Sequence, residues 1–144
     1  MTDHTVVTVV RHFDAAPERV FDAWLDPAVA RHFLFAVRDG EVVECSIDAR
    51  VDGRFRIVDR RDGEDVAHVG TYMEIVRPTR LTFTFTVPQY DPRETGVTID
   101  LVSDGDGALL SLGHSGVDAD WAEKTREGWG KTLDRLAEAI KSDA

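Results

Sequence analysis

Between Leu81 and Val87 the chain reads Leu-Thr-Phe-Thr-Phe-Thr-Val, with apolar and hydroxyl side chains in strict alternation. Successive side chains of a strand point to opposite faces. The run is therefore a strand with Leu81, Phe83, Phe85 and Val87 on one face and Thr82, Thr84 and Thr86 on the other. The same pattern recurs in Val97, Ile99 and Leu101, in Leu110 and Leu112, and in Phe55 and Ile57 opposite Arg54 and Arg56. Consecutive strands with one apolar face make a sheet that is covered on one side and wet on the other. A second layer has to cover it.

The final segment supplies that layer. From Asp118 to about Lys141 there is no proline, and Ala122, Thr125, Trp129, Leu133, Leu136 and Ile140 fall at steps of three or four, one apolar stripe of a long helix. Asp118 or Asp120 can cap its start. Gly128 and Gly130 flank Trp129, and each weakens a helix interior by about 1 kcal/mol. The compensation expected for them is close approach of the helix backbone to the sheet.

Between the ends lie further strands over roughly Val42–Ile47, Val51–Arg60, Val66–Val76, Thr95–Val102 and Ala108–His114. Turn signals separate them at Asp39-Gly40, Asp62-Gly63, Arg77-Pro78, Tyr90-Asp91-Pro92 and Asp104-Gly105-Asp106-Gly107. Short connections favour an antiparallel meander. Thr5–Phe13, with valine at both parities, reads as a first strand with little exposure on either face. Asp14 and Pro17 start a helix carrying Val20, Phe21 and Trp24, and Asp26-Pro27 opens another that runs to about Phe33.

A chain of 144 residues fits one domain, residues 1–144. Its formal net charge of −10 argues against nucleic acid as a partner, because phosphate contact needs a clustered positive face. No stretch approaches the ~20 apolar residues of a membrane span, and no basic-then-apolar leader opens the chain, so a cytoplasmic location is expected. The single cysteine, Cys45, reads as a small buried hydrophobe.

The order strand, two short helices, meander and long final helix resembles the helix-grip fold of the birch-pollen allergen and steroid-transfer (START) proteins. More closely, the chain resembles the family homologous to the C-terminal domain of the activator of the 90-kDa heat-shock chaperone ATPase. The resemblance rests on the run Asp14 to Pro27, on Asp48-Ala-Arg50-Val-Asp-Gly53-Arg-Phe-Arg, on Gly70 to Leu81, on His114-Ser-Gly116 and on Gly128 to Leu136. It implies an α+β domain whose curved antiparallel sheet of six to seven strands wraps the C-terminal helix. After the Asp-Pro helix the family usually carries a Trp-Trp-Gly-Pro-like run. Here Phe33-Leu34-Phe35-Ala36 stands in its place, an apolar gate if that segment covers a pocket.

The resemblance also implies a gap between sheet and helix, and with it a site for a small apolar or amphipathic molecule and no covalent chemistry. The residues expected to line it are Trp24, Phe33, Leu34, Phe35, Phe55, Thr71, Met73, Phe83, Phe85, His114 and Trp129. His114 follows Leu110 and Leu112 at a spacing of two and points inward. It reads either as a strand-end histidine bonded to backbone or water or as a polar contact that orients a ligand, a role that Thr71 could also fill. His68 and Tyr72 have the opposite parity to Val69, Met73 and Ile75 and are assigned to the wet face unless a bulge intervenes. The mixed run Asp48, Arg50, Asp52, Arg54 and Arg56 reads as a solvated face. Asp104 and Asp106 read as turn residues.

No metal, cofactor or catalytic pattern is present: the five histidines have no metal-ligand spacing, and no phosphate loop, dinucleotide fingerprint or nucleophile elbow occurs. Two other readings stay open. The chain is a chaperone-associated interaction module like the family's namesake, or a cyclase- or dehydratase-type enzyme using His114 as its acid or base. As a partner the chaperone stands beside the small ligand, and the chain is a monomer or a homodimer.

Overall fold

A computed structural model describes residues 4–35 and 40–142. The chain forms β1 (His4–Phe13), α1 (Pro17–Leu25), α2 (Pro27–Ala30), β2 (Glu41–Ile47), β3 (Arg54–Arg61), β4 (Glu64–Val76), β5 (Arg80–Val87), β6 (Asp91–Asp104) and β7 (Gly107–Asp118). A single 3-10 turn, Ala119–Trp121, leads into α3 (Ala122–Ser142), 21 residues long. The strands make one seven-stranded sheet in the order β1-β7-β6-β5-β4-β3-β2, antiparallel throughout. The meander is continuous from β2 to β7, and β1 closes onto β7 at the other edge. This is the helix-grip arrangement.

The alternating residues do what their period demands. Leu81, Phe83, Val97, Ile99, Leu101, Leu110 and Leu112 are buried on the inner face, against Trp129, Leu133, Leu136 and Ile140 of α3. Val20, Phe21, Ala23 and Trp24 of α1 complete the core at one end. Pro17 occupies the first turn of α1, where its missing N–H costs no hydrogen bond, and Asp26 caps α2 by accepting from the Ala28 N–H at 3.0 Å. Two polar ties hold α3 in place: Arg11 of β1 pairs with Asp134, and the Arg19 guanidinium of α1 donates to the Ile140 carbonyl.

Several local expectations are corrected. Val6 and Val10 of β1 are exposed, because β1 is an edge strand and α3 covers only its inner face. Strand β3 starts at Arg54, since Arg50 to Gly53 form a turn closed by the Gly53 N–H on the Arg50 carbonyl. Strand β6 runs beyond both expected ends, β7 continues to Asp118, and α2 stops at Ala30. Ala16 precedes α1 without a side-chain cap, while Asp14 contacts His12 at 3.2 Å. Asp104 takes the other His12 nitrogen at 2.9 Å, a role beyond turn chemistry. Asp118 makes no cap hydrogen bond and faces Arg93 at 3.2 Å. Cys45 is half-buried, its thiol pKa pushed up by burial. The mixed charge run behaves as read, with Arg50 on Asp48 at 2.8 Å and Arg56 on Glu44 at 3.0 Å near solvent. Asp39, expected in a turn, and Ala36, expected in the gate, lie outside the described residues.

The largest correction is in β4. The register shifts between Tyr72 and Glu74, a bulge that inserts Met73. One extra residue exchanges the faces. Up to Tyr72 the even-numbered residues face the core, so Val66, His68 and Tyr72 are buried; beyond it Ile75 faces inward opposite Leu81. Met73 is 55% exposed. Thr71 pairs with Arg54 on the outer face, where its backbone N–H donates to Thr84 Oγ1 at 2.9 Å.

Candidate functional site

Sheet and helix diverge on one flank of α3 and leave a cleft of about 810 Å³, within the range of small-molecule sites. The sheet contributes Arg61, His68, Phe85 and His114, the segment after α2 contributes Phe35, and α3 contributes Thr125, Gly128, Trp129, Lys131, Thr132, Asp134 and Arg135. Steps of three and four along α3 put Thr125, Gly128, Thr132 and Arg135 on one stripe, so a single helix face forms one wall. The two glycines beside Trp129 do not bring helix and sheet together. A Cβ built on Gly128 or Gly130 meets nothing within 4 Å. Gly128 is where the helix yields volume to the cleft.

Phe35 stands inside this space. Its ring centroid lies 4.6 Å from that of His68, 4.8 Å from Phe85, 5.8 Å from Trp129 and 6.1 Å from Phe55. With His68 it is stacked at 3°. Phe35 has φ of 58°, in the left-handed region that costs a non-glycine residue roughly 1 kcal/mol or more. The four surrounding rings retain it there. The gate residue thus fills an aromatic box, whereas its neighbours Phe33 and Leu34 are core.

The polar groups of the box are arranged in full. The Trp129 indole Nε1–H donates to His114 Nδ1 at 3.0 Å, and His114 Nε2 lies 2.7 Å from Thr95 Oγ1. Because Nδ1 accepts, the neutral ring carries its proton on Nε2 and donates to Thr95, whose hydroxyl donates to the Phe85 carbonyl at 3.0 Å. His114 is inward and 6% exposed, and burial lowers its pKa to about 4. Both nitrogens are spent on the protein. His114 positions Trp129 and has no free nitrogen for orienting a ligand or moving a proton.

His68 is different. Its Nδ1–H donates to the Ile57 carbonyl at 3.2 Å, which leaves Nε2 as an acceptor, and burial lowers its pKa to about 4. It is neutral at pH 7. Beside it on β3, Asp59 is fully buried, with Arg61 Nε on its Oδ2 at 2.7 Å and its Oδ1 without a partner among the described residues. A buried carboxylate is tolerated only with a cation at hand. Arg61 meets that need from the rim of the cleft.

Of the residues expected to line a gap, the structure brings Phe35, Phe85, His114 and Trp129 around the cleft. Trp24, Phe33, Leu34, Phe55 and Phe83 lie behind it in the core, with Trp24 packed edge-on to Phe33 at 5.2 Å and Phe83 edge-on to Phe55 at 5.4 Å. Thr71 and Met73 are on the other side of the sheet and cannot line it. The residues missed as lining are His68, hidden by the bulge, Thr125, Gly128 and Thr132 of α3, and Lys131, Asp134 and Arg135, which read in sequence as the solvated side of α3. Among the described residues no group of three or more His, Cys, Asp and Glu is placed to hold a metal ion.

Fold and cleft together define an α+β helix-grip domain of the SRPBCC class, the broad group of START-like and pollen-allergen-like domains. Residues 14–141 match the profile of the family described as Activator of Hsp90 ATPase homolog 1-like protein, and the chain belongs to that family. Among solved structures it is similar to a protein from Chromobacterium violaceum at 28% identity, TM-score 0.86, covering 94% of this chain and 96% of that one. It is also similar to a protein from Rhizobium loti at 28% identity, TM-score 0.76, covering 96% and 99%. An AHSA1-like protein from Aeromonas hydrophila shares the fold at 20% identity, TM-score 0.83, covering 96% and 94%. No curated protein matches the chain significantly. No helix among the described residues is long and apolar enough to cross a membrane.

Proposed function

We propose that the domain binds a small apolar or amphipathic molecule in the cleft between α3 and the sheet, without covalent chemistry. The observation that carries this reading is the seating of Phe35. A ring of the protein's own occupies a box of His68, Phe85, Trp129 and Phe55 at 4.6–6.1 Å, beside open space at Gly128. An incoming apolar group would stack beside that ring or replace it, with burial worth roughly 25 cal/mol per Å² of apolar surface. Neutral His68, with its accepting Nε2, offers the orienting contact.

The test uses phenylnaphthylamine, an uncharged dye that brightens in apolar surroundings. Wild type is expected to bind it with quenching of tryptophan fluorescence. Gly128→Leu fills the open space and weakens binding by roughly tenfold, the scale of a lost side-chain-sized contact. Because leucine favours helix over glycine, the variant melts no lower than wild type. Binding unaffected by Gly128→Leu would place the dye elsewhere and remove this reading.

The family's description favours a second reading, association with a heat-shock chaperone. Retention of the purified chaperone by the immobilised domain at micromolar concentration would support it, and absence of retention would dismiss it. The enzyme reading depends on His114, which is consumed by Trp129 and Thr95.

A further inference from the structure

We propose that the cleft takes an amphipathic acid, its apolar body against Phe35, Phe85 and Trp129 and its anionic group against Arg61, Lys131 and Arg135. This rests on the cleft being a ligand site and names the chemical class it selects. Over the whole chain acidic residues outnumber Lys and Arg by 27 to 17. Around the cleft the balance inverts: Arg61, Lys131 and Arg135 line it, against Asp134 as the one carboxylate. That carboxylate is already engaged by Arg11 of β1. Arg61 gives its Nε to buried Asp59, and its terminal nitrogens have no partner among the described residues. Lys131 and Arg135 form no ion pair among the described residues, and as i and i+4 on α3 they project from one side of the helix.

Unpaired cations at the rim of an apolar cleft serve a ligand that is greasy at one end and negatively charged at the other. The guanidinium groups suit a planar carboxylate or a sulfonate through paired N–H donors. A cationic amphiphile would be repelled from the same rim. An uncharged one would leave the cations without use. The overall charge of −10 repels anions at long range, so the attraction acts only at contact and the selection is made inside the cleft.

Anilinonaphthalene sulfonate and its uncharged parent phenylnaphthylamine share one apolar body and differ by the sulfonate, which makes them the probes of choice. The sulfonate is expected to bind wild type about tenfold tighter than the parent, the scale of one charge-assisted hydrogen bond. Lys131→Gln/Arg135→Gln, one exposed and one half-buried change, both outside the buried core, should cut that advantage at least about threefold while the parent's affinity holds within about twofold. Arg61→Gln would strand Asp59 and disturb the fold, so the double variant is the one to compare with wild type. Equal affinities for the two dyes in wild type, or an undiminished preference in the double variant, would overturn the acid assignment while leaving the cleft a binding site. Failure of both dyes to bind would remove the binding site itself.

Discussion

His114 shows how far a single residue can be read. Its spacing of two from Leu112 places it inward, and it is inward. Its hydrogen bonds are not readable from sequence, because Trp129 and Thr95 reach it from elements distant along the chain. Burial holds both His114 and His68 at about 4, below the ordinary 6.5. A depressed histidine pKa means the unfolded chain takes protons that the folded chain refuses. The stability they contribute is complete above pH 6.5 and is lost as pH falls from 6.5 through 4, up to about 3 kcal/mol for each ring. His12 runs the other way. The Asp104 hydrogen bond raises its pKa, so its small contribution is present below 6.5 and fades as pH rises through the raised value. Imidazole NMR titration should give midpoints near 4 for the two buried rings and above 6.5 for His12. A midpoint near 6.5 for His114 would contradict the closed Trp129–His114–Thr95 chain.

At the scale of elements, period-two alternation locates the meander strands, and the three-four stripe locates α3, because burial on one face leaves its mark on every second or every third-to-fourth residue. The bulge in β4 leaves no such mark. An inserted Met73 looks like any other strand residue, and it reverses the faces expected for His68, Tyr72, Thr71 and Met73. The wall of the cleft is hidden for a related reason: Lys131 and Arg135 are polar and line a gap, and polarity in a helix reads as solvent, while Thr125 reads as part of the apolar stripe. Gly130 gives the cleanest check on this geometry. It sits inside α3 with open space where a Cβ would go. Gly130→Ala should raise stability by about 0.5–1 kcal/mol in denaturant unfolding. A loss of stability would mean that helix and sheet approach closely there after all.

The molecule as a whole joins a dry core to an incompletely filled flank. Trp129 belongs to both: it packs toward Trp24 at 6.4 Å on the core side and toward Phe35 at 5.8 Å on the cleft side, with its indole N–H fixed by His114. The chain has three tryptophans, and Trp121 is exposed while Trp24 is buried, so each indole N–H reports a different environment. The decisive measurement is a nitrogen–proton correlation spectrum of the three indoles during titration with phenylnaphthylamine. The Trp129 signal is expected to move in proportion to occupancy while the Trp121 signal stays in place. Movement of Trp121 with Trp129 unchanged would show the molecule clinging to the surface, and the cleft would then be space that nothing fills.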